Sequence, residues 1–490
     1  MLHSLRYILF PVLNITAPVL IAFSFIMLLP CVVSFIYEDG AAGGFQTGAV
    51  ICFFTGVFLL AITRKDRREL MPRDGFLLAT IIWVAIPLFA SIPLYLEIPD
   101  INFTYAFFEA MSGTTTTCAS VLDKLDLLPQ SINFWRCFLS WLGGMGILVL
   151  AVAILPALGV GGSQIFKAEF SGPMKEARLT PRIADTAKGL WSIYLVLSVA
   201  CAAAFRLAGM DTFDSILHAF STVSLGGFSS HDASYGYFNN VDIEMIGMFF
   251  MTICGISFSL HFIAWRSRSP VAYFKSPECR AWLITVALMV ALVTAILYDY
   301  EVYDDPLTAL RYAAFNTISI ISTSGFSTAD FSLWPAAAPF ILFSVACFAT
   351  CGGSTGGGMK MMRAIILLKQ LSRQFTLTLY PKAIESLTVG GVVVGRSVIF
   401  SAMAFMVLWL IVSIVITLAL MVTGLDITTA ISATVACVTN LGPGLGIVGP
   451  LSNYSVLTDV QLWMCTFLML LGRLELVTVF VLFTRTFWRF

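Results

Sequence analysis

The chain has 490 residues, 58% of them hydrophobic and 11% charged, and its 28 basic and 28 acidic side chains leave no formal net charge. Soluble domains carry about 25% charged residues. The composition, with a mean hydropathy of +0.90, therefore excludes a soluble globular protein and indicates a polytopic membrane protein. Eleven cysteines are scattered through apolar segments, among them Cys31, Cys52, Cys201, Cys347 and Cys465, and no two form a Cys-x-x-Cys pair. They read as small packing residues and not as a metal knuckle or redox motif.

Apolar stretches of about 20 residues read as spanning helices. The N-terminus "MLHSLRYILFPVLN" lacks a small-residue cleavage site and opens the first of them. Ten spans are predicted, over 9–37, 42–63, 76–97, 134–157, 188–208, 243–265, 281–299, 333–371, 396–423 and 457–485. Four segments hold five, five, four and six basic residues: 64–74, 167–188, 266–280 and 360–396. Together they carry 20 of the 28 Lys and Arg. They alternate so as to share one side, which the positive-inside rule makes the cytoplasm, with both termini on that side. The opposite loops are acidic (Asp123, Asp126, Asp211, Asp214, Asp232, Glu244, Asp305), with few basic residues (Lys124, Arg136, Arg311). An acidic outer face would concentrate cations; ordinary solvated loops are the plainer reading.

Four of these outer connections carry an apolar segment too short to span, followed by a Gly/Ser/Thr run: "NFTYAFFEAMSGTTTTCAS" (102–120), "DTFDSILHAFSTVSLGGFSSHD" (211–232), "DPLTALRYAAFNTISIISTSGFSTAD" (305–330) and "DITTAISATVACVTNLGPGLG" (426–446). Their last small residues, Cys118, Gly227, Gly325 and Gly442, are 109, 98 and 117 residues apart. A repeat of helix, half-helix with polar run, and helix follows. The predicted fold is all-α: ten transmembrane helices in which four helix–pore loop–helix units surround one pore after two N-terminal helices. The expected units are 1–74, 75–160, 161–268, 269–372 and 373–490. Non-helical backbone at membrane depth lines a water-filled path or is buried in protein. Four converging loops can present rings of carbonyls that replace the hydration shell of a hard monovalent cation.

Several motifs carry a closer likeness: "WLGGMGILVLAVAILPALGVGG" (141–162), "LTPRIADTAKGLW" (179–191), "FSTVSLGGFSSHDAS" (220–234), "STSGFSTAD" (322–330), "CGGSTGGGMK" (351–360), "NLGPGLG" (440–446) and "LLGRLE" (470–475). With them the chain resembles, nearly end to end, the Trk/Ktr/HKT superfamily of potassium transporters, and within it the Trk-type bacterial membrane subunit. The resemblance implies a selectivity filter at Thr116, Thr117 and Cys118; Leu225, Gly226 and Gly227; Thr323, Ser324 and Gly325; and Asn440, Leu441 and Gly442. It implies potassium as the transported ion (sodium or rubidium also passing) with no organic cofactor and no nucleic-acid partner. It further implies a homodimer in a bacterial inner membrane, on which a cytoplasmic ring of Rossmann-type nucleotide-binding subunits docks. Three filter segments keep the family's central glycine and the first has Cys118. Because a serine at this point accompanies sodium preference in plant relatives, a sodium-permeable or weakly selective cation transporter is the alternative reading.

The run Gly352, Gly353, Ser354, Thr355, Gly356, Gly357 and Gly358 lies inside the eighth predicted span. Each glycine costs a helix about 1 kcal/mol against alanine, so residues 351–359 should form a loop. Set within the membrane, the loop reads as a gate; a flexible kink is the plainer alternative. It is not a phosphate loop, since a membrane helix precedes it and the Gly-Lys-Ser/Thr ending is absent. Arg473 is a charge in an apolar span, hence expensive and expected to face a pathway; the resemblance places it under the filter as an electrostatic barrier touching the carbonyls of 352–358. Glu109 reads equally as a vestibule charge or as the partner of a backbone amide. His3, His218, His231 and His261 show no metal or catalytic spacing, and no membrane-depth Ser/His or Asp/Asp pair suggests a hydrolase. Four related quarters argue against a transporter of two inverted halves.

Overall fold

A computed structural model describes residues 2–66, 68, 70–146 and 183–488. The latter part of the span expected over 134–157 and most of the basic stretch 167–188 lie outside the described residues. Two helices, α1 (Leu2–Ile26) and α2 (Leu28–Tyr37), form one apolar rod interrupted at Met27. Pro30 explains the interruption, because it has no N–H and its ring would meet the carbonyl four residues back. In α3 (Ala42–Thr63), small residues recur every fourth position at Gly44, Gly48, Cys52 and Gly56. That stripe lets the helix backbones approach closely. A Cβ on Gly48 would come within 2.6 Å of Met27 Cε, and one on Gly56 within 2.7 Å of Ile21 Cγ1.

The chain continues through α4 (Pro72–Glu97), α5 (Phe103–Thr114), α6 (Gln130–Gly144), α7 (Ile183–Leu207), α8 (Thr212–Ser224), α9 (Val241–Cys254) and α10 (Phe258–Ser267). Then come the short α11 (Val271–Lys275), α12 (Pro277–Asp299), α13 (Pro306–Ile321), α14 (Ala337–Ala346) and α15 (Met361–Leu379). A two-strand antiparallel hairpin, β1 (Thr388–Val389) and β2 (Val392–Val393), sets Thr388 opposite Val393. The remainder is α16 (Arg396–Val422), α17 (Ile427–Val438), α18 (Asp459–Arg473), α19 (Val477–Phe480) and α20 (Arg485–Trp488).

Among the described residues six segments are long and apolar enough to cross a membrane unaided, and two bent helix pairs reach that length only together: α9 with α10 at 91°, and α18 with the turn after it at 105°. The apolar windows 243–265 and 457–485 are thus not single straight helices. Gly255 stands at the first bend against the Trp282 ring, where a Cβ would come within 2.6 Å of Cζ2. At the second, Glu475 and Leu476 both take positive φ, 56° and 35°. Over 333–371 the helix stops at Ala346 and resumes at Met361.

The outward faces of the long helices are apolar. In α16, Phe400, Val407, Ile411, Ile414 and Leu418 are exposed, while Ile399, Ala402, Phe405, Trp409 and Val412 are buried. Apolar stripes on both faces of one helix fit a protein packed on one side and lipid on the other. The interior runs the other way: α5, α8, α13 and α17 bury Ser112, Thr114, Ser221, Thr222, Thr317, Ser319, Ser432 and Thr434.

Candidate filter and gate

The four short helices α5, α8, α13 and α17 begin alike. Asn102, Asp211, Asp305 and Asp426 are their N-caps, each side chain accepting a first-turn N–H: from Tyr105, Phe213, Thr308 and Thr429. Such caps satisfy donors that a helix start leaves unbonded. The helices also end alike. Thr116 N donates to Gly113 O, Leu225 N to Thr222 O, Thr323 N to Ile320 O and Asn440 N to Cys437 O, at 2.9–3.3 Å. One residue later, Thr117 N, Gly226 N, Ser324 N and Leu441 N each donate to the carbonyl five residues back, on Ser112, Ser221, Ser319 and Ala436, at 2.9, 2.9, 2.9 and 2.8 Å.

The backbone angles repeat as well. The first residue of each triplet is left-handed: Thr116 (φ 57°), Leu225 (54°), Thr323 (62°) and Asn440 (55°). So is the third: Cys118 (55°), Gly227 (98°), Gly325 (78°) and Gly442 (100°). Five of these eight positions are not glycine, and each costs about 1–2 kcal/mol in that region. Strain of this kind persists where the surroundings impose it and gathers at functional sites. Alternating a left-handed, an ordinary and a left-handed residue turns successive carbonyls out of the helical direction.

The triplets touch in sequence. A Cβ on Gly227 would overlap Ser324 O, one on Gly325 would overlap Leu441 O, and one on Gly442 would come within 2.5 Å of Thr117 O. The third residue of one loop therefore abuts the middle carbonyl of the next, from the second loop to the third, the fourth and back to the first. At the remaining junction stands Cys118. Its Sγ lies 3.5 Å from Ser140 Oγ, and a Cβ on Gly226 would come within 3.0 Å of it. The thiol lies at the flank between the first and second loops, beside the apolar cluster of Cys137, Leu217 and Phe228.

Buried side chains brace these loops. Arg136, counted above among the basic residues of the acidic face, is buried; its Nε donates to Glu109 Oε1 at 2.7 Å. Glu109 also accepts from Val121 N at 3.0 Å and from Ser120 Oγ. Arg136 reaches the second loop through Ser229 O (3.3 Å) and the Phe228 ring (4.3 Å). Ser112 Oγ and Ser319 Oγ each donate to a carbonyl seven residues on, Ala119 O and Phe326 O, both at 2.6 Å. Tyr454, fully buried, donates its hydroxyl to Gly442 O at 2.8 Å. Asn440 Nδ2 donates to Thr117 Oγ1 (2.9 Å) and Met469 O (3.0 Å).

The helix that follows each triplet stops short: α6 after 15 residues, α9 after 14, α14 after 10 and α18 after 15. Glycines permit close contact here, for a Cβ on Gly143 would overlap Thr114 O and one on Gly357 would overlap Thr439 O. The stretch 347–360 lies against the triplets. Thr355 Oγ1 donates to Val223 O (3.0 Å), Gly357 N donates to Thr323 Oγ1 (2.8 Å), and Thr350 Oγ1 closes the loop on Gly357 O (2.8 Å). Gly352, Gly353, Ser354 and Gly358 are partly accessible, whereas Thr355, Gly356 and Gly357 are buried. Arg473, at the end of α18, joins the two layers. It donates to Thr116 Oγ1 (3.2 Å), Thr355 O (3.2 Å), Gly144 O (3.0 Å) and Gly143 O.

Three of the histidines, His218, His231 and His261, bind neighbours in the protein. His218 bonds Asp214 O and Ser229 Oγ, and His261 bonds Tyr273 and Ile253 O. In the loop after the second triplet, His231 bridges Asp126 and Asp214 and stacks on Tyr237 at 3.6 Å. Burial opposes its charge, but the hydrogen bonds and charges of the two carboxylates outweigh it and raise its pKa.

A family model described as "TrkH: Cation transport protein" matches residues 43–489. The Trk system potassium uptake protein TrkH of Halomonas elongata is 44% identical over 482 residues, covering 98% of this chain and 99% of that protein. TrkH of Escherichia coli K12 is 41% identical over 477 residues, 97% of this chain and 98% of that one. The crystal structure of the potassium transporter TrkH from Vibrio parahaemolyticus superposes with a TM-score of 0.89 at 41% identity, over 98% of this chain and all of that one.

Proposed function

The chain belongs to the TrkH family of cation transport proteins, as a Trk-type potassium transporter membrane subunit, and from that membership we propose that it takes up potassium through a channel-like pore. It is a transporter and not an enzyme. In this reading Thr116–Cys118, Leu225–Gly227, Thr323–Gly325 and Asn440–Gly442 form the filter, and four helix–loop–helix units surround it. The observation that carries the reading is the backbone device common to all four loops, with its succession of Gly–carbonyl contacts.

The mechanism follows from that backbone. A helix C-terminus holds about half a negative charge, and the triplets directly follow four such ends. A potassium ion entering from the acidic mouth exchanges water for carbonyl and hydroxyl oxygens that the hydrogen bonds already hold in place, so little reorganisation is needed on entry. Below the filter the ion meets Arg473, whose charge opposes it, and the loop 352–358, which closes the path. Conduction requires that loop to release Val223 O and Thr323 Oγ1.

The "Trk system" in the relatives' names supports further components, here a cytoplasmic nucleotide-binding ring set against the basic loops. The homodimer, the inner-membrane location and the cytoplasmic termini rest on family membership and on the charge pattern. A second reading, sodium-permeable or weakly selective transport, is favoured by the side chain of Cys118 at the one junction where the others have glycine.

Potassium or rubidium isotope uptake into proteoliposomes tests the proposal. With the regulatory partner and nucleotide supplied, uptake is expected to exceed that of empty liposomes. Equal rates would end the reading. Bi-ionic potentials then separate the potassium reading from the sodium one.

A further inference from the structure

Glu278 is a buried acid that no step above uses. It sits in the first turn of α12, behind Pro277 and the cap Ser276, whose Oγ accepts from Cys279 N at 3.3 Å. A single oxygen, Oε1, accepts from Gly352 N at 2.7 Å and from Met362 N at 3.1 Å. Gly352 opens the glycine run, and Met362 lies in the first turn of α15, just past its exit. One atom thus gathers both ends of the loop. The site is built for it: the first N–H groups of a helix have no partner of their own, and an acidic group is favoured at that end of the dipole.

The loop's entry is held from the same side a second time. Phe258 N, the first residue of α10, donates to Gly353 O at 2.9 Å, and Cys351 N donates to Gly255 O at 3.1 Å. These bonds lie just before the basic segment Arg266–Arg280, and Glu278 lies near its end. That segment runs from α10 through α11, tied back by His261 to the Tyr273 hydroxyl at 2.9 Å, and ends at Glu278 and Arg280. It exposes Arg266, Arg268, Phe274 and Lys275.

We infer that Glu278 is a positioning residue of the gate: it hooks both ends of the glycine-rich loop to the basic segment 266–280, so that a displacement of that segment is delivered to the loop. The inference rests on the gate reading of residues 352–358. Reach outweighs charge here, because both bonds end on one oxygen that an amide side chain of the same length also carries.

The test is basal rubidium uptake by the full chain in proteoliposomes, without a partner, alongside the potassium-to-sodium permeability ratio. Glu278→Gln keeps an acceptor at the same reach, and its uptake should stay within about twofold of the original. Glu278→Asp is one methylene too short, and Glu278→Ala has no acceptor. Each leaves two N–H groups unbonded and should raise basal uptake about tenfold, with the permeability ratio unchanged. If Glu278→Ala does not fold, the contrast between Gln and Asp carries the test. Asp behaving like the original chain while Gln rises, or a folded Asp variant with unchanged or lower uptake, overturns the inference. Thr355→Val, which removes the bond to Val223 O, is the control. If it raises uptake and Glu278→Asp does not, the gate stands and Glu278 has no part in it. If neither raises uptake, the gate reading itself fails.

Discussion

Two layers of this protein, the four triplets and the ends of the helices that follow them, are built differently. In the upper layer, four triplets of unlike sequence (Thr-Thr-Cys, Leu-Gly-Gly, Thr-Ser-Gly, Asn-Leu-Gly) share one backbone path, one pair of hydrogen bonds and one pair of left-handed residues. In the lower layer, four helix ends diverge. One stops at Gly143–Gly144, one bends by 91° at Gly255, one gives way to a 14-residue irregular stretch at 347–360, and one ends in Arg473 with a 105° turn. On the proposed reading, a ring of carbonyls works only if its members are equivalent, which fits one backbone geometry carried by unlike side chains. The proposed closure needs only one part that moves and one that repels, which fits helix ends that differ.

The largest effect should come from breaking the upper layer's equivalence. Gly227→Ala places a Cβ on Ser324 O and forces φ 98° on a residue that disfavours it. Overpacking and left-handed strain together amount to about 3 kcal/mol, so potassium uptake should fall about a hundredfold. Uptake within a few-fold of the original, in a monodisperse protein, would mean that the loops do not need to meet there.

The lower layer should respond in the opposite direction. Arg473→Ala removes a cation from beneath the triplets together with its bonds to Thr116, Thr355 and Gly144. Two unit charges at ~4 Å interact by about 4 kcal/mol at an effective dielectric of 20, and relief of a third of that gives roughly a tenfold rise in basal rubidium uptake. A fall in uptake would assign Arg473 to holding the triplets together and not to opposing the ion.

The two layers also differ in how far the sequence reveals them. The upper one is legible because four polar runs interrupt apolar segments at near-regular intervals, and their carbonyl geometry depends on small residues that the sequence displays. The lower layer shows only its glycine-rich member and the lone charge of Arg473, not the bends around them. The bends after Cys254 and Arg473 are made by one or two residues inside apolar windows, and they exist because Gly255 meets Trp282 and Arg473 meets three carbonyls from two other segments. Contacts of that kind have no local signature. The same holds for the pairing of Arg136 with Glu109, 27 residues apart, although an amide partner is one of the two roles expected of Glu109, and for Tyr454, one tyrosine among 14, whose hydroxyl holds Gly442 O. Glu278 was hidden by its neighbours, a single acid at the end of a basic stretch.

The smallest effect tests the one imperfect member of the upper layer. Cys118 has a left-handed φ of 55°, lower than the 78–100° of its three glycine counterparts, and its thiol is turned to Ser140 at the flank. Cys118→Gly removes the strain of a side chain in that region, about 1–2 kcal/mol, and empties the space beside Gly226. The first loop can then take the φ of the others and close on the second as they close on one another. The carbonyl of residue 118 is present in either case, so uptake itself should change little. What should change is the fit of four oxygens around one ion: the potassium-to-sodium permeability ratio should rise about two- to threefold, the consequence of a few tenths of a kcal/mol. Bi-ionic potentials measured on the two proteins under identical gradients resolve a shift of that size. An unchanged ratio would make the cysteine a passive replacement, and a lower one would show that its thiol braces the first loop instead of distorting it.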